Sequence, residues 1–231
     1  MWESVETAPG VYDWAYLDAV DALITKIGTY GMTVIVDNHQ DLFSRTLCGE
    51  GVPYFYTPTD LDHTCPKTIL GELFHLANNC ISLTTYGFSY DAEGRPLTSD
   101  CQKQSFIQMY TAPEIASAFD ALYQNKNGLY DKMMAYWNVV ALRFNTNPNV
   151  IGYDILNEPW TANIYRKPSL FLHPTSFDHD ILYPLTQRGT QTIRAQDTTG
   201  IIFFEAAQFP DTLPFFGGVV EHIGYPDTPG G

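Results

Sequence analysis

The chain has 231 residues, 45% of them hydrophobic and 16% charged, which indicates a globular protein rather than a disordered one. Its formal net charge is −14, with 26 acidic against 12 basic side chains, so nucleic acid is excluded as a partner because its phosphates would be repelled. No apolar run reaches the ~20 residues that a membrane helix needs, and no basic patch predicts binding to an anionic membrane.

Predicted helices and predicted strands alternate three times along the chain. Periodic apolar residues indicate helices at residues 12–30, 131–145 and 178–196. Short apolar runs indicate strands at residues 33–36, 150–156 and 201–204. We expect Gly31 to end the first helix and the β-branched first strand to be buried within a parallel sheet. This alternation is typical of an α/β protein.

The stretch from about residue 42 to residue 112 interrupts the alternation. It contains no long periodic run, and we interpret it as a loop insertion over the functional site, since loops of this length are usually functional. An even number of cysteines predicts two disulfides with three possible pairings, and four free thiols are the alternative. A zinc site would have to recruit His63 or His75, because no Cys-x-x-Cys pair is present. The cysteines are Cys48, Cys65, Cys80 and Cys101.

Polar residues follow each predicted strand directly. They are His39, Gln40 and Asp41, then Asn157 and Glu158, then Glu205 and Gln208. Both a (β/α)8 barrel and a doubly wound sheet bind ligands at the carboxyl ends of their strands, so this position is compatible with either fold. No glycine-rich phosphate loop follows a strand, which counts against a nucleotide-binding sheet.

The tripeptide Asn157-Glu158-Pro159 offers the chemistry of glycoside hydrolysis. A retaining glycosidase needs two carboxyl groups about 5–5.5 Å apart, one as nucleophile and one as acid/base. Glu158 at a strand end could supply the acid/base, and the amide of Asn157 could hold the 2-OH of the sugar. Neither role requires a metal or an organic cofactor.

Several segments resemble glycoside hydrolase family 5, and in particular endoglycoceramidases, over nearly the whole chain. The segment 152–160 resembles the family's fourth strand, 34–39 its third, and 1–13 the region after its second. The segments 39–45 and 48–53 are the ones most similar to endoglycoceramidases. The resemblance implies a (β/α)8 TIM barrel with Glu158 as acid/base. It also implies that His39 and Asp41 bind the sugar next to the cleaved bond and that Asn157 contacts its 2-OH; for His39, a neutral imidazole that holds the strand end is the alternative.

The resemblance further implies that residues 1–231 are an incomplete barrel, without the first and the last strands, and that Met1 is not the natural start. The family's nucleophile follows its seventh strand, so we expect it outside this chain and expect the chain alone to be inactive. Glu205 and Glu221 lack the expected aromatic-Glu-Tyr/Phe-Gly type of context, and we interpret both as structural or cleft-lining residues.

The expected function is hydrolysis of the bond between glycan and ceramide in glycosphingolipids. One alternative is a β-glucosidase of steryl glucosides or glucosylceramide, and another is a glycolipid-binding pseudoenzyme. The expected partner is a glycolipid substrate, with possible peripheral contact with lipid and no transmembrane segment in this chain. The resemblance and the clustered cysteines suggest a secreted or lysosomal protein.

Overall fold

A computed structural model of the chain describes residues 1–65, 67, 80–172 and 174–207. Its strands are β1 Glu6–Ala8, β2 Val11–Tyr12, β3 Val34–Asp37, β4 Val150–Asp154 and β5 Ile201–Phe203. The first two strands form an antiparallel hairpin, and the other three form a parallel sheet in which β4 lies between β3 and β5. The predicted parallel sheet is therefore present in the described residues.

The helices connect the strands and flank them. They are α1 Trp2–Val5, α2 Trp14–Gly28, α3 Thr98–Cys101, α4 Phe106–Tyr110, α5 Pro113–Tyr123, α6 Leu129–Phe144, α7 Pro168–Leu172, α8 Pro174–Phe177, a π-helix Asp178–Leu182, and α9 Tyr183–Arg194. Short 3-10 helices lie at Arg45–Leu47, Tyr54–Tyr56, Leu83–Tyr86 and Lys126–Gly128. Among the described residues, no helix combines the length and the apolar character needed to cross a membrane.

Helix α2 begins where Asp13 caps it, since the Asp13 carboxylate accepts a hydrogen bond from the backbone N–H of Tyr16 at 2.9 Å. Leu17 and Ile24 are buried on its inner face. The expectation that Gly31 directly ends the helix is wrong, because the helix stops at Gly28 and an intervening turn follows. Gly31 occupies the left-handed region at the end of that turn, with φ of 74°.

Helix α6 packs against β4 through the apolar face that the sequence predicts. Met134, Trp137, Ala141 and Phe144 are all buried. The indole N–H of Trp137 donates to the carbonyl of Ile155 at 3.1 Å, so the helix is tied to the chain just beyond the strand. Strand β4 ends at Asp154, two residues before the predicted end.

The prediction that the first strand is buried is wrong, although it does lie in a parallel sheet. In β3 the side chain of Ile35 is 43% exposed, and Val34 and Val36 are only partly buried. Within the described residues β3 pairs with β4 alone, so its other edge has no strand beside it. A strand at a sheet edge loses the cover that a central strand receives.

The segment 42–112 consists, in its described parts, of short helices, turns and isolated bridges. Cys48 pairs with Cys101 and Cys65 pairs with Cys80, with Cα–Cα distances of 5.5 and 6.0 Å. The prediction of two disulfides is confirmed, and the free-thiol and zinc alternatives are wrong because all four sulfurs are oxidised. The segment returns to the sheet at its end, where the Tyr110 hydroxyl donates to Asp41 at 2.9 Å.

Candidate active site

The carboxyl ends of the three parallel strands bring the predicted site residues to one edge of the sheet. Asp37 of β3 pairs in register with Asp154 of β4, which pairs with Phe203 of β5. The three strands therefore end side by side, and the polar residues that follow them lie at the same edge of the sheet. This is the edge at which both barrels and open α/β sheets place their sites.

Asn157 and Gln40 form a network between the ends of β3 and β4. The side-chain oxygen of Asn157 accepts from the backbone N–H of Gln40 at 2.6 Å. In return, the side-chain amide of Gln40 donates to the carbonyls of Asn157 and Glu158 at 3.2 and 3.1 Å. Both side chains are buried, so this network fixes the backbone around Glu158. The role of Asn157 toward the sugar 2-OH stays a prediction.

Glu158 lies four residues beyond β4 and is partly exposed. Its φ is 42°, in the left-handed region that residues other than glycine rarely adopt. Its backbone N–H donates to the Glu205 carboxylate at 2.9 Å. The structure thus places the predicted acid/base on a sharply turned backbone and makes Glu205, two residues beyond β5, its direct neighbour.

His39 lies between two carboxylates and is 47% exposed. Its Nδ1 is 3.2 Å from Asp37 Oδ2, and its Nε2 is 3.5 Å from Asp41 Oδ2. The ring is therefore oriented from both sides, which suits either a sugar-binding side chain or a support for the strand end. Asp41 also accepts the hydrogen bond from Tyr110, so its carboxylate is fixed in place.

Tyr110 connects the His39 side of the site with Glu158. Burial raises the pKa of the Tyr110 hydroxyl well above its usual range, and the negative charges of Asp41 and Glu158 raise it further. The ring of Tyr110 also lies against Trp160, with centroids 4.8 Å apart. Tyr110 therefore lies near both Asp41 and Glu158, which sequence reasoning missed because Tyr110 lies at the far end of the long loop.

Three further carboxyl groups, those of Asp37, Asp154 and Glu205, lie at the strand ends next to the Glu158 segment. Burial raises the pKa of Asp154 to about 7, with further contributions from the negative charges of Glu205 and Asp37. Burial also raises the pKa of Asp37. A side-chain hydrogen bond with Glu205 raises the pKa of Asp154 further, which places the two carboxyl groups side by side. Among the described residues, Oδ1 of Asp37 and Oδ1 of Asp154 are buried without a hydrogen-bond partner.

One group of side chains has the composition of a metal site. Potential ligand atoms of His39, Asp41 and Glu50 all lie within 4.8 Å of one another. Exposed acidic groups often lie this close without a cation, and His39 and Asp41 already face each other. We therefore assign these residues no metal. Three other residues singled out in the sequence, His75, Gln208 and Glu221, lie outside the described residues.

Comparison with known proteins gives a consistent result. The model of the cellulase family (glycosyl hydrolase family 5) matches residues 103–217. The endoglycoceramidases of Hydra vulgaris and Cyanea nozakii are 30% and 31% identical over 95% and 96% of the chain. Solved structures of endo-glycoceramidase II from Rhodococcus sp., one of them a ganglioside GM3 complex, superpose with a TM-score of 0.60. The structure of the cellobiose-like imidazole complex is 25% identical over 88% of the chain.

The chain spans about two fifths of the length of these relatives: 38% of the Hydra protein, 39% of the Cyanea protein and 38% of the solved Rhodococcus chain. These structures and the family match confirm the predicted fold, since the three parallel strands and their helices form part of a (β/α)8 TIM barrel. The polar edge described above lies at the carboxyl ends of the barrel strands, where enzymes of this fold place their active sites.

Proposed function

The chain belongs to glycoside hydrolase family 5, and from this premise we propose that it carries the acid/base half of a retaining glycosidase. The observation that carries the proposal is the placement of Glu158. It lies just beyond the carboxyl end of β4, directly after Asn157, and its backbone is held by Gln40 and Glu205 from the neighbouring strand ends. A fixed carboxyl group at the catalytic face of a barrel is what proton transfer to a leaving group requires.

In this proposal Glu158 acts twice. It first donates its proton to the glycosidic oxygen while a second carboxylate attacks the anomeric carbon, and it then removes a proton from the water that hydrolyses the glycosyl-enzyme. We expect the second carboxylate to come from a glutamate outside residues 1–231. Glu205 does not suit that role, because its carboxylate is engaged by the Glu158 amide and by Asp154.

His39, Asp41 and Asn157 bind the sugar next to the cleaved bond in the same proposal. His39 and Asp41 are oriented by each other and by Asp37 and Tyr110, so little side-chain freedom would be lost when a sugar binds. Asn157 immediately precedes Glu158, which places a group for the 2-OH beside the acid/base.

The substrate class is a glycosphingolipid, and the bond cleaved is the one between glycan and ceramide. The support is that the relatives carry the name endoglycoceramidase and that a solved neighbour is a ganglioside complex. The two disulfides suit an oxidising compartment, which supports a secreted or lysosomal location.

Product analysis of a fluorescent ganglioside tests this function in the complete gene product. We expect release of the intact oligosaccharide together with ceramide, because the cut falls at the lipid end of the glycan. Steryl glucoside and glucosylceramide, assayed in parallel, should be poorer substrates. Cleavage of these two in preference to ganglioside would indicate the β-glucosidase instead, and binding of ganglioside without any hydrolysis would indicate a pseudoenzyme.

A further inference from the structure

The backbone of Glu158 has a conformation that its own sequence disfavours. A positive φ is costly for a residue with a Cβ atom, and Glu158 has φ of 42°. Glu158 also precedes Pro159, and the proline ring restricts the residue before it to extended conformations. The conformation persists only if surrounding groups impose it, so the contacts of this one residue matter for where its side chain points.

Two side chains from neighbouring strand ends hold the Glu158 backbone. After β5, the Glu205 carboxylate accepts from the Glu158 N–H at 2.9 Å. After β3, the Gln40 amide donates to the Glu158 carbonyl at 3.1 Å. Gln40 is 1% exposed, and its oxygen accepts from the Phe43 N–H at 3.3 Å, so it is itself immobilised. Glu158 is therefore held at both its N–H and its C=O.

Glu205 is held in turn by Asp154 through the hydrogen bond between their side chains. That bond needs one proton, and the raised pKa of Asp154 assigns the proton to Asp154. A protonated Asp154 can donate to a Glu205 oxygen, while Glu205 Oε2 accepts the Glu158 N–H at 2.9 Å.

We propose that Glu205 is a positioning residue for the acid/base: its carboxylate, oriented by Asp154, holds the Glu158 backbone in the conformation that aims the Glu158 side chain at the glycosidic oxygen. The inference rests on the proposed function, because it requires that Glu158 is the acid/base. It excludes Glu205 as nucleophile, since a nucleophile needs its oxygens directed at the anomeric carbon.

The test compares two substrates that need acid assistance to different degrees. The ceramide of a glycosphingolipid is a poor leaving group and needs the proton from Glu158. The aglycone of an activated aryl glycoside is a good leaving group and needs little acid assistance. Misplacing a catalytic group by about 1 Å can cost ~10²-fold in rate. We expect Glu205→Ala to lower kcat/KM for ganglioside by about 10²-fold and for the aryl glycoside by less than about 10-fold. Because kcat/KM reports the steps up to glycosyl-enzyme formation, the comparison isolates the acid step.

Three matched variants complete the design. Glu205→Gln keeps an oxygen that can accept the Glu158 N–H, so we expect it to retain at least about ten times the ganglioside activity of Glu205→Ala. Glu93→Gln removes one exposed carboxylate elsewhere and should behave as the wild type. Glu158→Gln serves as the reference, because it shows how much ganglioside activity is lost when the acid itself is absent. If Glu205→Ala does not fold, Glu205→Gln carries the test, and its loss must then be larger on ganglioside than on the aryl glycoside.

The outcomes separate this inference from the proposed function. Equal fractional losses on both substrates would show a purely structural role for Glu205 and overturn the inference. Complete inactivity of Glu205→Gln on both substrates would make Glu205 the nucleophile and overturn it as well. If instead Glu158→Gln keeps its ganglioside activity, the proposed function itself fails, whatever the Glu205 variants do.

Discussion

At the residue scale, the distinctive feature is a row of carboxyl groups at one edge of the sheet. Asp37 and Asp154 are register neighbours, and the nearby Glu205 raises the pKa of Asp154 through its charge and a side-chain hydrogen bond. If Asp37, Asp154 and Glu205 were all ionised, their neighbouring negative charges would repel one another strongly at this partly buried sheet edge. Retention of a proton by Asp154 relieves that repulsion. It also makes the stability of the folded protein depend on pH.

We predict that Asp154→Asn stabilises the protein at neutral pH but not at acidic pH. In the unfolded chain Asp154 ionises near its ordinary pKa of 3.8, whereas in the folded protein it keeps its proton to about 7. Folding therefore disfavours the ionised form, and stability falls as pH rises from about 4 to about 7. Asparagine still donates to Glu205 and does not titrate, so the variant lacks this loss.

The measurement is urea unfolding of wild type and variant between pH 4 and pH 8. The difference in the free energy of unfolding should grow in favour of the variant across this range. Asp180→Asn, which alters an exposed aspartate on the π-helix, serves as the control and should show a difference that does not change with pH. A constant difference for Asp154→Asn would contradict the proposed protonation.

At the element scale, the long loop depends on its two disulfides to differing degrees. Cys48–Cys101 closes a separation of 53 residues and Cys65–Cys80 one of 15. In the chain-entropy model, the longer closure stabilises by about 4 kcal/mol and the shorter by about 3 kcal/mol. Arg45 reinforces the longer one, because its guanidinium donates to the Pro96 carbonyl and to the Thr98 hydroxyl at 2.5 and 2.8 Å.

We therefore predict that replacing Cys48 and Cys101 by serine destabilises the protein more than replacing Cys65 and Cys80. The difference between the two double variants should be about 1 kcal/mol in the free energy of unfolding, measured with urea. An equal loss in both variants, or a larger loss from the shorter closure, would show that loop entropy does not set the contribution of these bonds.

The regular elements could be predicted from the sequence because their apolar residues repeat with the period of the structure. Helix α6 and strand β4 are examples, and both lie within about two residues of the prediction. The exposure of Ile35 could not be predicted, since it depends on which strands pair with β3. The cysteine pairing was open among three arrangements, because it depends on which separate segments of the chain meet in the fold.

The candidate site was only partly visible in the sequence. Glu158, His39 and Asp41 follow predicted strands, and the resemblance to glycoside hydrolase family 5 implies their roles. The contact of Glu205 with the Glu158 N–H depends on the register between β4 and β5, and Tyr110 reaches Asp41 from 69 residues away. Contacts that join separate segments of the chain have no local signal in a single sequence.

At the scale of the whole molecule, the candidate site residues lie together at the carboxyl edge of the parallel sheet. The three strands of the sheet supply Glu158, its supports Gln40 and Glu205, and the flanking pair His39 and Asp41. The long loop adds Tyr110, which donates to Asp41 at 2.9 Å. The chain covers 38% of the Hydra relative and still contains this group of residues together. The acid/base role of Glu158 is accordingly the central claim.

The most direct measurement of that claim is the effect of Glu158→Gln in the complete gene product. The variant keeps the shape of the side chain and removes its proton, so we predict that ganglioside cleavage falls by at least ~10²-fold. An activated aryl glycoside should still form the glycosyl-enzyme, and azide, which needs no general base, should restore its turnover and give a β-glycosyl azide. Glu93→Gln should change neither activity. Near wild-type cleavage of ganglioside by Glu158→Gln would contradict the account.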